Sequence, residues 1–213
     1  VSGVVELAIG KKLRLTGVGQ YDSRSRWLLL VAFERPGAGP LFVPKGIGLL
    51  VAQGREANAE ALRSALGTGE LEMVLMPRDV VANESRIMAA LDRFFPPGDA
   101  TLIGMMLLFA SPRGEFTARI GVIAELPDDP KRGIELHLLA LMQLKIPGQK
   151  PWSLDGVGLW DLGRGEGYLR LQLRDALLWG AEFTGSALIF HGDPDGDGPV
   201  GKGTWISLGG FYP

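Results

Sequence analysis

Over much of its second half this chain alternates apolar residues with polar or smaller ones at a period of two, and that period is the signature of β-strands. Ile134, Leu136, Leu138, Ala140, Met142, Leu144 and Ile146 stand on one side of a stretch whose other side is Glu135, His137, Leu139, Leu141, Gln143 and Lys145. Leu169, Leu171 and Leu173 alternate with Arg170, Gln172 and Arg174 in the same way, and Trp27, Leu29, Val31 and Phe33 form one side of Arg26 to Glu34. Turn residues separate these stretches at Pro112-Arg113-Gly114, at 128–133, at Pro147-Gly148, at 163–167 and at 193–198, as hairpin connections require. Gly133 to Ile146, if unbroken, would reach about 45 Å at about 3.3 Å per residue. A sheet of such strands is expected to twist into a curved half-barrel or groove, with its apolar side covered and its charged side in water.

Two segments switch to helical spacing. Between Glu56 and Leu66, residues Ala59, Leu62 and Leu66 share a face, and Gly67 supplies a left-handed stop. Asn83 is placed to cap a second helix carrying Ile87, Leu91, Phe94 and Phe95, which Pro96-Pro97 must end. Leu71 to Met76, a short apolar run between them, is expected to be a strand, and Leu41 to Gln53, interrupted by Pro44, a strand with a bulge or an edge position. The expected fold class is therefore mainly β (α+β): a long, curved antiparallel meander sheet with two short helices packed on it. Residues 1–213 are read as a single β-rich domain or a fragment of a longer multi-domain protein, with a possible sub-division near 98–101; Val1 in place of Met and a strand-like end favour the fragment.

With 22 basic and 24 acidic residues the net charge is −2, so the chain lacks the positive field that would neutralise a phosphate backbone, and no nucleic-acid partner is expected. The absence of cysteine removes disulfides, thiolate nucleophiles and thiolate-bound metals together. The longest uncharged apolar run, Leu102 to Ala110, is under half of the roughly 20 residues a spanning helix needs. It reads as a buried strand, and no transmembrane segment is expected. The sequence leaves the compartment open.

Candidate chemistry is sparse. Asp193, Asp195 and Asp197 alternate with Pro194 and Gly196 and precede Gly198, as in loops that gather oxygen ligands around calcium; Thr204 stands where a helical calcium loop would end in glutamate, so an exposed acidic turn is the competing reading. His137, two residues from Glu135, is placed to share a proton or a metal with it, against the plainer reading of a surface strand pair. His191 either joins the acidic turn or ends a strand. No Gly-x-Ser-x-Gly is present, and Ser111 and Ser186 fall in strands or turns. Gly17-Val18-Gly19 and the 163–167 cluster lack the third glycine at the spacing of a phosphate cradle, and its following helix, and read as hairpin turns. Trp152, Trp160, Trp179 and Trp205 carry no interleaved basic residues, so core or sheet-face packing is expected rather than a sugar or base platform.

Gly46-Ile47-Gly48-Leu49-Leu50, Glu60-Ala61-Leu62-Arg63, Val81-Ala82-Asn83 with Arg86-Ile87, Phe94-Phe95-Pro96-Pro97, Thr184-Gly185 and the closing Ser207 to Pro213 occur in an order that resembles a family of large bacterial proteins catalogued only as a domain of unknown function. The resemblance implies a long multi-domain parent and no catalytic residues. The expectation is a non-enzymatic structural or binding module that holds an apolar or lipid-like ligand or packs on a neighbouring domain of the parent chain, with no cofactor. The alternatives are a calcium-dependent hydrolase and a calcium-stabilised adhesion domain, both using the Asp193 to Asp197 loop.

Overall fold

The computed structural model describes residues 1–10, 13–22, 25–35, 43–178, 181–192 and 203–209. They form one open antiparallel sheet in which each strand pairs only with its neighbours in sequence: β1 (Ser2–Ile9), β2 (Leu13–Tyr21), β3 (Trp27–Glu34), β4 (Gly46–Arg55), β5 (Pro97–Ala110), β6 (Phe116–Pro127), β7 (Glu135–Leu144), β8 (Trp152–Asp161), β9 (Glu166–Leu178), β10 (Ala181–Gly192) and β11 (Gly203–Leu208). The alternation anticipates this meander. The 14-residue strand, however, is β5, whereas β7 is ten residues long. Gly17 and Gly19 are not in a turn; they lie inside β2, opposite Val31 and Leu29 of β3.

Among the described residues, all helical structure lies in the connection from β4 to β5. Helix α1 (Ala59–Ser64) is capped by Asn58, whose side chain accepts from the Ala61 amide at 2.9 Å. Gly67 takes the left-handed conformation foreseen for it, at φ 79°. Leu71 to Met76 is not a strand: Glu70–Met73 forms a 3-10 turn, and Leu71, Val74, Leu75 and Met76 are all buried. Helix α2 (Glu84–Phe94) buries Ile87, Leu91 and Phe94. Asn83 precedes it without capping it, its amide donating back to the Asp79 carbonyl at 3.1 Å.

The insertion closes on itself at the sheet. The Glu56 amide donates to the Pro96 carbonyl at 3.1 Å, and the Asn58 amide to that of Phe94 at 2.8 Å. The buried Arg55 guanidinium reaches the Phe95 carbonyl at 2.8 Å and Asp92 at 2.9 Å. From this base the insertion folds over one side of the sheet, the covered side. Leu28, Leu30, Leu50, Leu102 and Met106 of the sheet meet Leu62, Leu75, Ile87, Leu91, Phe94 and Phe95 of the insertion in a single core. Missing side chains in the sheet make room for it: a Cβ on Gly46 would stand 2.5 Å from the Met76 methyl, and one on Gly121 would stand 2.7 Å from Leu75 Cδ2.

Among the described residues nothing lies over the other side, and its central rows are as apolar as the core. Following directly opposed residues across all eleven strands, one row reads Leu7, Leu15, Phe33, Ile47, Leu107, Ile120, Ala140, Gly156, Leu171, Ala187, Leu208. The next reads Val5, Gly17, Val31, Leu49, Met105, Val122, Leu138, Gly158, Leu169, Ile189, Ile206. Neither contains a polar side chain. In the second half of the sheet the covered side is the one with charges, including Glu125, His137, Asp155 and Arg174. This reverses the expectation that charged alternates would meet water. Burial next to the insertion is tolerated because these groups bond one another and the insertion's backbone.

Candidate functional site

Two features of the fold have chemical content: the bare face and a polar cluster at one end of the covered side. The bare face is half-exposed at Leu49, Ile103 and Met105, about what a sheet surface with nothing on it leaves open. Two depressions mark it. One, of about 380 Å³, lies over β1 to β3, where Gly17 and Gly19 leave the backbone low between Val5, Leu15, Leu29 and Val31. The other, of about 180 Å³, is ringed by Phe116, Met142, Leu144, Trp152, Leu154 and Leu173. At its edge the buried Trp152 Nε1 has no hydrogen-bond partner. Trp160 also belongs to this face, stacked at 5.3 Å on His191, whose Nδ1 meets Thr204 Oγ1 at 2.8 Å. Trp152 and Trp160 thus take the sheet-face role expected of them, on the side that no described residue covers.

The polar cluster comes from strand register. Leu102, Glu125, Glu135, Asp161 and Glu166 are directly opposed on successive strands, so four neighbouring strands each present a carboxylate in line. Like charges directly opposite are destabilising, and the surroundings divide the load. Asp161 turns to its own loop, its Oδ1 accepting from the Gly163 and Arg164 amides at 2.8 and 3.0 Å. Glu125, almost fully buried, accepts from the Ala57 amide at 2.9 Å and from Arg132 at 3.4 Å. His137, one step along β7, is 1 % exposed. Its Nε2 lies 3.1 Å from Glu125 and 3.8 Å from the half-exposed Glu135.

These contacts set the two glutamates apart electrostatically. Burial alone would push Glu125 up, but the hydrogen bonds from His137 and the Ala57 amide, with the positive charge of His137 and Arg132, hold it below the ordinary carboxylate value. Glu135 is pushed up, first by burial and then by the charge of Glu125. Glu125, Glu135 and His137 each offer a ligand atom, all within 4.8 Å of one another.

The pairing of His137 with Glu135 is thus present, but as a buried cluster rather than a surface strand pair. The sequence reading missed Glu125. Its signal was the lone carboxylate of β6, after the apolar run Ile120 to Ala124 and two residues before the turn that leads to Glu135. The candidate calcium ligands Asp193, Asp195 and Asp197 lie outside the described residues. Among those residues, no helix is long and apolar enough to cross a membrane, which leaves strands untested. Ser111 sits in the turn after β5, where its Oγ accepts from the Phe116 amide at 3.0 Å, and Ser186 pairs with Gln172 of β9. No curated protein and no solved structure matches the chain. A model for a family of unknown function, DUF6603, matches residues 1–213 in full, and the chain belongs to that family.

Proposed function

We propose that this chain is a non-catalytic binding module whose bare sheet face holds lipid-like apolar chains. One observation carries the reading: two adjacent rows of side chains run across all eleven strands without a single polar side chain. At about 4.8 Å between strands and 3.3 Å along them, the two rows on this face cover about 700 Å², above the largest apolar patch of a typical monomer, about 300–600 Å². Leaving so much apolar surface in water costs free energy, and acyl chains laid across the strands would remove it. The two depressions are natural places for such chains to seat, since both have apolar rims.

Lipid extraction of the purified protein followed by mass spectrometry, with titration of a naturally fluorescent fatty acid into delipidated protein, tests this. Saturable binding is expected, together with at least a tenfold loss in Leu49→Asp and Met105→Asp variants that keep their circular dichroism. Protein with neither co-purifying lipid nor saturable acyl-chain binding, or a dimer that buries the face in the absence of lipid, overturns it.

A further inference from the structure

The cluster at the far end of the covered side is independent of the bare face. Its centre is an imidazole nitrogen turned towards two carboxylates on two strands, with 3.1 Å to Glu125 and 3.8 Å to Glu135. One Nε2 proton can serve only one of those carboxylates at a time. Donors sharing one first-row metal ion at about 2.0–2.2 Å stand about 3.0–3.5 Å from each other, so the Glu125 to His137 gap already has the right size. The gap to Glu135 closes with a small rotation of a side chain that is 35 % exposed.

The supports a metal ligand needs are also in place. Glu125 Oε2, the oxygen that faces His137, is aimed by the Ala57 amide while Arg132 holds Oε1, and His137 is fixed by burial, so both donors are oriented before an ion arrives. Glu135 faces solvent and leaves an approach and open coordination positions. We propose that Glu125, Glu135 and His137 bind one divalent transition-metal ion, of the zinc, manganese or iron(II) class, through Nε2 and one oxygen of each carboxylate. The imidazole selects against calcium and magnesium, which prefer all-oxygen shells. Binding needs a bare Nε2 on His137 and both carboxylates ionised, so protons compete with the ion at all three donors and metal affinity rises with pH.

The test uses the whole chain, freed of metal by a chelator and then titrated with zinc and manganese in a calorimeter, with thermal unfolding alongside. One equivalent per chain with micromolar or tighter affinity is expected, with an increase in Tm, whereas millimolar calcium leaves Tm unchanged. Glu135→Gln, at a half-exposed position that need not disturb folding, is expected to weaken binding about 10- to 100-fold. His137→Gln should abolish binding; because His137 is buried, its folding is checked by circular dichroism, and the Glu135 variant decides if it fails. The d–d spectrum of the cobalt(II) form gives a second readout, changing in Glu135→Gln if that carboxylate is a ligand. No saturable binding to folded wild-type chain, or one equivalent bound undiminished by Glu135→Gln, overturns the proposal.

Discussion

Glu125 and Glu135 face each other across β6 and β7 yet titrate in opposite directions, and this makes stability depend on which one is changed. Glu125 is held below its ordinary value near 4.5, so it contributes stability at neutral pH that is lost as pH falls through its folded value. Glu135 is raised above the same reference, so its contribution is present below about 4.5 and lost as pH rises. In chelator-treated protein, Glu135→Gln is therefore expected to raise Tm at pH 7, with the gain vanishing below about pH 4.5, while Glu125→Gln lowers Tm at pH 7 and has less effect in acid. Thermal unfolding across that range checks both signs. A steric prediction concerns Gly121, where a side chain would drive Leu75 off the sheet: Gly121→Val is expected to cost about 1–3 kcal/mol in urea unfolding. At this scale the sequence was partly legible. It placed His137 beside Glu135 because they share a strand, but Glu125 reaches them only through the register set by the 128–133 connection, and nothing local encodes that register.

The insertion between β4 and β5 is the element on which the core depends. Asn58→Ala removes the side-chain N-cap of α1 and is expected to cost about 1 kcal/mol, and Phe94→Ala leaves a void under α2 costing about 3–5 kcal/mol; chemical denaturation measures both. Both helices were visible as 3.6-residue periodicity, and Gly67 is left-handed as read, although α1 already ends at Ser64 with Ala65 as its cap. Leu71 to Met76 was misread because a short apolar run carries no period of its own. Its Leu71, Val74, Leu75 and Met76 are buried between the helices and the sheet, so strand and turn place the same demand on its composition. Gly17 and Gly19 misled for the converse reason: glycines that look like a turn can instead lower one face of a strand.

For the whole molecule, alternation revealed the strands and their parity but not which parity would be covered, because that depends on where a distant insertion docks. Neighbouring methionines expose the difference. Met106 is fully buried beneath the insertion and Met105 is half-exposed on the bare face, so Met106→Asp is expected to abolish cooperative folding, whereas Met105→Asp leaves Tm nearly unchanged, as thermal unfolding of the two variants checks. Because every strand bonds only to its predecessor and successor, a whole hairpin can be gained or lost without rewiring any other pair. An indel of one residue within a strand is far more damaging, since it turns that strand over. Evolution of such a ribbon is thus free to change its breadth in steps of two strands, while the phase of each strand stays locked.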